Sequence, residues 1–174
     1  MNKRLDKMPF IHLRSHSSYS LLEGAIRPEE LSVLCKQSLM PAMGLTDTGN
    51  LFGALEVSEL LIRDGIQPIV GCQLRFKFSH NRVETVKETD CPYIVLLAQN
   101  ADGYANLMKL SSEYFLKNAG SILTLEPSQL EKHSYGLIVL CGGAKGVLGT
   151  NILKNNLGDA IEAMNWFKSI FGDR

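Results

Sequence analysis

Two histidines four residues apart, His12 and His16, stand near the start of the chain, and Glu23 follows them directly before a glycine. Imidazole and carboxylate groups are common ligands of divalent cations, and a cation held by several of them can activate water for hydrolysis. Arg14 lies between the histidines, where its permanent positive charge would repel a cation. The residue types therefore leave two interpretations open: a hydrolytic metal site, or a histidine pair that is hydrogen-bonded for structural reasons.

Other polar residues follow the short apolar runs of the chain. In α/β folds built from parallel strands, residues at the carboxyl ends of the strands meet at one edge and carry the chemistry. The residues that this rule gathers at one rim are Arg14, His16, Asp47, Thr48, Cys72, Gln73, Gly142 and Gly143. A hydrolytic centre with two or three metal ions needs several converging histidine and carboxylate groups. This rim offers only His16, Glu23 and Asp47, with an arginine beside them.

Two other kinds of motif are not found. The stretch CGGAKGVLGT contains glycines and a lysine, but it lacks the Gly-Lys-Ser/Thr of a phosphate-binding loop. A Gly-x-Ser-x-Gly sequence or a cysteine–histidine pair would indicate a nucleophilic enzyme, and neither stands out in this sequence. His80 and His133 lie in polar segments, so we expect both side chains to be solvated.

The composition indicates one globular domain. The chain has 174 residues, 45% of them hydrophobic, and its 18 basic residues balance its 18 acidic ones. A zero net charge gives no general electrostatic reason for strong nucleic-acid binding by the chain itself. No window reaches the roughly 18 apolar residues of a membrane span, so we predict a cytoplasmic protein without a membrane partner. The four cysteines are widely spaced, which favours small buried residues over a zinc or disulfide framework.

Short apolar runs alternate with amphipathic ones, a pattern typical of α/β domains. Strands are predicted at Phe10–Leu13, Ala42–Thr46, Gln67–Phe78, Tyr93–Ala98 and Leu137–Leu140. Helices are predicted at Pro28–Leu39, Asn50–Arg63, Tyr104–Lys117 and Leu157–Phe171, the last with Ala160, Ile161, Met164, Phe167 and Ile170 on one face. His80–Asp90 is predicted to be an exposed hairpin tip or loop, and Ala119–His133 to contain a turn and a short helix. Strands separated by helices of this length imply parallel βα units.

Four sequence blocks carry a resemblance to a known family: HLRSHSSYSLLEGA, PAMGLTDTGNLFGALE, GIQPIVGCQL and YIVLLAQNADGYANLMKLSS, with a fainter fifth block, GLIVLCGGAKG. In order and spacing they closely resemble the N-terminal polymerase-and-histidinol-phosphatase (PHP) domain of the alpha subunit of bacterial DNA polymerase III. The resemblance implies a distorted (β/α)7-type barrel that is incomplete in this chain, with its last strands missing. Residues 1–174 would then form a single PHP domain, the N-terminal part of a much longer polymerase subunit.

The same resemblance bears on the metal ligands. Family members with a working centre look like His-Leu-His-x-His in the first block, where this chain has Arg14 at the middle position and keeps His16. Glu23 stands where they carry an aspartate before Gly-Ala. The four other positions, which are histidine, glutamate, histidine and cysteine in the family, are here Thr48, Gln73, Tyr93 and Gly143. Of these seven positions, two keep a ligand group.

The resemblance therefore implies a vestigial pocket without a metal. Arg14 cannot be deprotonated to admit a cation, and Thr48 and Gln73 cannot supply the negative charge that metal ions need. We expect Arg14 to pair with Glu23 or Asp47 instead. The expected pocket residues, none of them catalytic, are Arg14, His16, Glu23, Asp47, Thr48, Gln73, Tyr93 and Gly143.

The function implied by the resemblance is that of a replicative DNA-directed DNA polymerase, a nucleotidyltransferase. Its Mg²⁺ would lie in a downstream part of the longer subunit, with no cofactor in this chain. The domain alone would be inactive; it would stabilise the polymerase and dock the proofreading exonuclease subunit. Other replicase subunits, and DNA through the full-length polymerase, would be further partners. The alternative is a metal-dependent phosphoesterase or 3'-5' exonuclease, but the ligand count favours the structural role.

Overall fold

A computed structural model describes residues 10–78, 91–117 and 123–174 of the chain. The strands in these ranges are β1 (Ala42–Leu45), β2 (Gln67–Arg75), β3 (Tyr93–Ala98) and β4 (Leu137–Leu140). The helices are α1 (Pro28–Gln37), α2 (Ala54–Arg63), α3 (Ala101–Leu116), α4 (Pro127–Lys132), α5 (Val147–Leu153) and α6 (Leu157–Phe171). The predicted α/β class is confirmed, and α4 is the predicted short helix. The hairpin tip or loop predicted at 80–90 lies outside the described residues.

The four strands form one sheet in the order β1-β2-β3-β4. β1 and β2 pair in parallel, but β2 with β3 and β3 with β4 pair antiparallel. The prediction of parallel βα units is therefore wrong for β3. A parallel connection needs a crossover, usually a helix, and the sequence between β2 and β3 has no helical period. The reversal places Tyr93, the first residue of β3, opposite Arg75 at the carboxyl end of β2.

The first described segment, residues 10–16, does not form the strand predicted at Phe10–Leu13. It runs irregularly beside β1, where Gly44 N donates a hydrogen bond to His12 O at 2.7 Å. This approach depends on the glycine, because a Cβ on Gly44 would lie 2.6 Å from Leu13 O and 2.9 Å from Leu13 Cα. Because Gly44 has no side chain, the segment can lie close to β1. The residues that follow the segment are thereby placed at the carboxyl end of that strand.

Two helices begin at residues other than the predicted ones. α3 begins three residues earlier, and α2 four residues later, than the sequence pattern predicts. Asn50, the predicted first residue of α2, instead stabilises the turn before the helix. Its Nδ2 donates to Thr48 O at 3.1 Å, and Phe52 N donates to its Oδ1 at 3.1 Å. Asparagine favours such local bonds over a helical position, so the turn between β1 and α2 is longer than predicted.

Among the described residues, two apolar clusters form the core. The smaller one joins α1, β1 and α2 through Leu31, Cys35, Met43, Leu45, Val57, Leu61 and Ile66. The larger one lies between the sheet and the later helices and includes Leu74, Phe76, Ile94, Leu96, Leu107, Leu110, Leu125, Leu130 and Phe167. As predicted, the cysteines are small buried residues, although Cys141 is only half-buried. Within the described ranges, no helix has the length and apolar character needed to cross a membrane.

The buried face of α6 matches the predicted one only in part: Ala160 and Phe167 are buried as predicted, and Ile170 packs against the larger cluster. The buried residues of this helix are Ala160, Ala163, Phe167 and Phe171. Ile161 and Met164, which the sequence pattern assigns to the buried face, are exposed. Two apolar stripes with helical spacing overlap in this helix, so periodicity alone cannot choose between them. Helix α5 has no counterpart in the sequence-based prediction.

Candidate functional site

Asp47, the second residue after β1, is the centre of the candidate site. Its side chain is only 1% exposed. Three donors reach its carboxylate: Ser17 N at 2.7 Å, Ser17 Oγ at 2.7 Å and Ser20 Oγ at 2.6 Å. Hydrogen bonds to an ionised carboxylate are among the stronger ones in proteins. The loop that contains the two serines therefore stabilises the buried charge.

A second set of hydrogen bonds joins this cluster. Gln73 Nε2 donates to Thr48 Oγ1 at 3.0 Å, and Thr48 Oγ1 donates to Glu23 Oε2 at 2.5 Å. Thr48 N donates to Ser20 Oγ at 3.0 Å, which links the two sets. The Gln73 side chain is buried, and its Oε1 has no hydrogen-bond partner among the described residues. We call the connected residues the Asp47 network: Ser17, Ser20, Glu23, Asp47, Thr48 and Gln73.

Backbone pairing beyond the regular strands positions this network. Gln73 N donates to Asp47 O at 3.0 Å, and Gly49 N donates to Gln73 O at 2.8 Å, so the chain after β1 continues beside β2. Cys72 precedes Gln73 and packs in the core on the other face of the strand. Burial raises the pKa of the Cys72 thiol well above its usual range, so this cysteine is not a nucleophile.

His16 is half-buried beside the network, with its Nδ1 3.3 Å from Ser20 Oγ. The Ser20 hydroxyl already donates its proton to Asp47, so this contact is a hydrogen bond only when His16 carries a proton on Nδ1. Burial is the main cause that lowers the pKa of His16 below its usual 6.5; Arg14 adds to this effect, while Glu23 and Asp47 oppose it. The net effect favours the neutral form of the imidazole.

Arg14 does not form the expected ion pair. Its side chain is exposed, and the described part of the chain contains no ion pair between Arg14 and either Glu23 or Asp47. The physical reason is that Asp47 receives its hydrogen bonds from the neighbouring serine loop, whereas an exposed guanidinium keeps its own hydration and gains little from a surface pair. The hypothesis that an arginine–carboxylate pair stabilises the pocket is therefore wrong.

Tyr93 lies beside the site, and Gly143 lies in the turn that Tyr93 contacts. Tyr93 shares a sheet face with Gln73, because the register sets Tyr93 opposite Arg75, and its ring centroid lies 5.3 Å from the Arg75 guanidinium. Tyr93 N donates to Lys145 O at 2.9 Å, which joins β3 to the turn that contains Gly143. Gly143 is exposed and adopts a positive φ of 83° in that turn. Four of the eight expected pocket residues belong to the network: Glu23, Asp47, Thr48 and Gln73. His16 contacts the network at Ser20.

The residues present do not fit a metal centre of the kind that the sequence analysis ascribes to family members with a working site. Serine donors occupy three acceptor positions on Asp47, so a cation could bind there only if some of these hydrogen bonds broke. Thr48 and Gln73 are neutral, and Arg14 adds positive charge beside His16. Across the ranges that the structure describes, no three His, Cys, Asp or Glu side chains are grouped to hold a metal ion. The site stabilises one buried carboxylate, but it does not concentrate the charge that a divalent cation needs.

Ser17 and Ser20 are the site residues that sequence reasoning missed. Both are buried, and Ser20 N donates to Ser17 O at 3.0 Å, so the two serines lie in one tight turn. The available signal was their spacing of three in a loop that follows an apolar run. Short hydroxyl side chains in turns can reach nearby acceptors. Their partner, Asp47, lies 27 to 30 positions away in the sequence, so spacing alone could not identify it.

A second polar cluster joins α3 and α4. Glu113 accepts hydrogen bonds from Lys117 Nζ at 2.7 Å and from Gln129 Nε2 at 3.2 Å. His133 Nε2 lies 3.4 Å from Glu113 Oε1, and the histidine is buried. The prediction of a solvated His133 is therefore wrong, because this residue directly follows α4 and its side chain faces the glutamate. His80 lies outside the described residues.

Acid is expected to weaken the contact between α3 and α4. The hydrogen bond from Lys117 is the main cause that lowers the pKa of Glu113 from 4.5 to about 2, with Gln129 and His133 acting in the same direction. A depressed pKa in the folded state gives stabilisation that is present above about pH 4.5 and is lost as the pH falls towards 2. Urea denaturation should therefore show a flatter acid dependence for Glu113→Gln than for the parent. Glu162→Gln, on the exposed face of α6, is the control; equal acid slopes for Glu113→Gln and the parent would contradict this prediction.

Comparisons with known proteins address the identity of the domain. The family model described as the PHP domain matches residues 12–174. The DNA polymerase III subunit alpha of Caulobacter vibrioides is 40% identical over 166 residues, which cover 95% of this chain and 14% of that protein. The subunit from Borreliella burgdorferi is 36% identical over 168 residues, 94% of this chain and 14% of that protein. The solved structure of an amidohydrolase from Chromobacterium violaceum aligns with a TM-score of 0.43 and 22% identity over 59% of this chain and 34% of that chain.

The chain thus spans 14% of the length of these two curated relatives. The family match, in contrast, extends over nearly all of the chain and includes every residue of the Asp47 network. The resemblance inferred from the sequence blocks is confirmed by a match over the same residues. The chain belongs to the PHP domain family.

Proposed function

We propose that this chain is the N-terminal PHP part of the alpha subunit of a replicative DNA polymerase that acts in the cytoplasm. The names of the relatives support this proposal, since proteins called DNA polymerase III subunit alpha match 94–95% of the chain in distant bacteria. The whole protein would be a DNA-directed DNA polymerase, with Mg²⁺ bound outside this domain. Its partners would be DNA, the proofreading exonuclease subunit and other replicase subunits.

Within that protein, the Asp47 network has a structural role and binds no metal. The observation that carries this proposal is the set of three serine hydrogen bonds to the buried Asp47 carboxylate. In a metal centre these oxygens would face cations. Here the N–H and O–H donors of the serine loop face the carboxylate oxygens instead. These hydrogen bonds also hold the serine loop against the end of β1.

The sheet belongs to a distorted (β/α)7-type barrel that is incomplete in this chain. The family match supports this proposal. A second support is the partial exposure of Ile138, Val139 and Leu140 on β4, which stands last in the strand order. An apolar strand at a sheet edge is usually covered by a further element. Another strand of the same barrel would cover it.

One observation favours a second candidate function, a metal-dependent phosphoesterase or 3'-5' exonuclease. His16, Glu23 and Asp47 all carry ligand groups and lie in or beside one hydrogen-bonded network. A cation would have to displace the serine donors from Asp47 and draw these three groups together, since among the described residues they are not grouped to hold one. The two candidates therefore make different predictions for added metal. Under the structural role the serine hydrogen bonds to Asp47 persist, and under the second function a cation breaks them.

An activity assay of the purified chain separates the two candidates. With Mn²⁺ or Zn²⁺ added, the chain is expected neither to hydrolyse DNA ends or simple phosphate esters nor to extend a primer, because no group in the network can activate water through a bound cation. The rates should equal those of a His16→Ala variant measured in parallel. Metal-dependent hydrolysis that disappears in His16→Ala would establish the second candidate and end the structural proposal.

A further inference from the structure

The loop that holds Asp47 also presents two leucines to solvent. Leu22 is fully exposed and Leu21 is 83% exposed. Leu22 has a φ of 65°, in the left-handed region that residues other than glycine and asparagine avoid. A leucine at this position gains nothing from burial and carries backbone strain, so neither its side chain nor its conformation is explained by the stability of the domain itself.

The strained conformation is fixed by its surroundings. Glu23 N and Gly24 N both donate to Ser20 O, at 3.0 and 2.8 Å. Gly24 packs directly on the preceding turn, since a Cβ at this position would lie 2.0 Å from Ser17 O. Together with the Ser20–Asp47 bond, these contacts determine the path of the loop. The leucines are therefore held in place on the surface, a state typical of side chains that contact another molecule.

The same loop contacts the start of α2, where further apolar side chains are exposed. Tyr19 connects the two parts: its hydroxyl donates to Glu56 Oε2 at 3.0 Å, and its ring packs against Gly53. Phe52 precedes Gly53 in the sequence, and Leu55 precedes Glu56. The side chains of Phe52 and Leu55 are both exposed. We call this surface the apolar patch: Tyr19, Leu21, Leu22, Phe52 and Leu55.

Carboxylates border the patch. Glu56 bonds Tyr19, Glu23 directly follows Leu22, and Glu29 is close enough to act on the Tyr19 hydroxyl. The hydrogen bond from Glu56 is the main cause that raises the pKa of Tyr19, and Glu29 adds to it. This negative border would repel the phosphates of a nucleic acid and attract lysine or arginine.

We propose that the apolar patch is a docking site for a segment of a partner protein that carries large apolar side chains next to lysine or arginine. The proposal deepens the docking role under the proposed function, and it rests on that function only for the existence of a partner. A rigid apolar centre with a charged border is the usual arrangement of a protein interface. The metal assay above does not bear on it, because that assay reports on the interior of the Asp47 network.

The test uses the 174-residue chain and three fluorescently labelled peptides. The first contains leucines and lysines at helical spacing, the second has glutamate in place of lysine, and the third has serine in place of leucine. Fluorescence anisotropy is expected to show binding of the leucine–lysine peptide only. Leu22→Asn should weaken that binding by about tenfold, as expected for a residue at the centre of an interface. Asparagine tolerates the left-handed conformation, so this variant keeps the fold.

Leu39→Asn is the matched control. Leu39 is also an exposed leucine with a positive φ, of 53°, but it precedes β1 at the amino end of the strand, away from the patch. This variant should bind the peptide as the parent does. The proposal is overturned if the leucine–lysine peptide does not bind, if Leu22→Asn and Leu39→Asn affect binding equally, or if the glutamate peptide binds as well. Sedimentation showing that the chain associates with itself through Leu22 would identify a second copy as the occupant and would also overturn it.

Discussion

Asp47→Ala is expected to lower the free energy of unfolding by about 3 kcal/mol, because it leaves buried donors of Ser17 and Ser20 without an acceptor. The loss should exceed that of an ordinary surface substitution, since Asp47 is almost completely buried and its partners cannot all turn to water. The loop from Ser17 to Gly24 should also become more mobile. Urea denaturation gives the energy, and amide hydrogen exchange at Ser17 and Ser20 reports the loop.

Two variants serve as controls for this prediction. Asp47→Asn keeps one acceptor oxygen and should cost clearly less, about 1 kcal/mol. Arg14→Ala should change the stability by no more than about 0.5 kcal/mol, because Arg14 is exposed and has no ion pair with the carboxylates of the site within the described residues. If Arg14→Ala costs as much as Asp47→Ala, an arginine–carboxylate interaction, and not the serine loop, stabilises the pocket.

Gly44→Ala is the second substitution with a large expected effect, a destabilisation of about 3 kcal/mol. A Cβ at this position would lie within 3 Å of three backbone atoms of Leu13, none of which can move without shifting the whole segment. The added methyl group would push the segment off β1 and displace His16 from Ser20. Thermal denaturation measures the stability, and the NMR shifts of the His16 ring report the displacement.

Gly158→Ala is the matched control for added volume. Gly158 lies in α6, where an added methyl group would have no heavy atom within 4 Å, and alanine is the better helix former by about 0.5–1 kcal/mol. This variant should be neutral or slightly more stable than the parent. A Gly44→Ala protein as stable as Gly158→Ala would show that the segment does not depend on close contact with β1.

Local signals in the sequence predicted much of the fold. The apolar runs that form β1, β2, β3 and β4 are short and bounded by polar or turn residues, so each strand can be recognised without its neighbours. The direction of β3 could not be recognised in the same way, because a buried apolar strand such as Tyr93–Ala98 has the same composition in either direction. The face of α6 was similarly open, because packing and not periodicity selects Ala163 over Met164.

The candidate site was predictable only in part. The family resemblance identified Glu23, Asp47, Thr48 and Gln73 as positions that meet, although they lie in three separate segments of the chain. Their interactions were not predictable, because a hydrogen bond depends on distances of a few tenths of an ångström between groups far apart in sequence. The expected pair between Arg14 and a carboxylate rested on charge alone. The serines that bind Asp47 are neutral, so charge in the sequence could not identify them as its partners.

The network is the physical basis of the proposal that this PHP domain keeps its pocket without metal. Cations would hold the loops of such a pocket together through their charge, and hydrogen bonds from Ser17, Ser20 and Thr48 connect the same loops here. Neutral donors suit a single buried carboxylate, whereas several converging carboxylates need a cation. Under this proposal, Thr48 and Gln73 stand where the resemblance implies ligand residues, and hydrogen bonds take over the stabilisation of Asp47.

Isothermal titration calorimetry of the purified chain with Zn²⁺ and with Mn²⁺ tests the metal-free network most directly. The parent and His16→Ala should give the same heats, with no saturable site that depends on His16. Arg14→His should behave like the parent, because Thr48, Gln73 and Tyr93 remain without metal-binding groups suited to these ions. Binding of one or more equivalents of metal by the parent that is lost in His16→Ala would contradict the account, because it would show that the cation displaces the serine donors from Asp47.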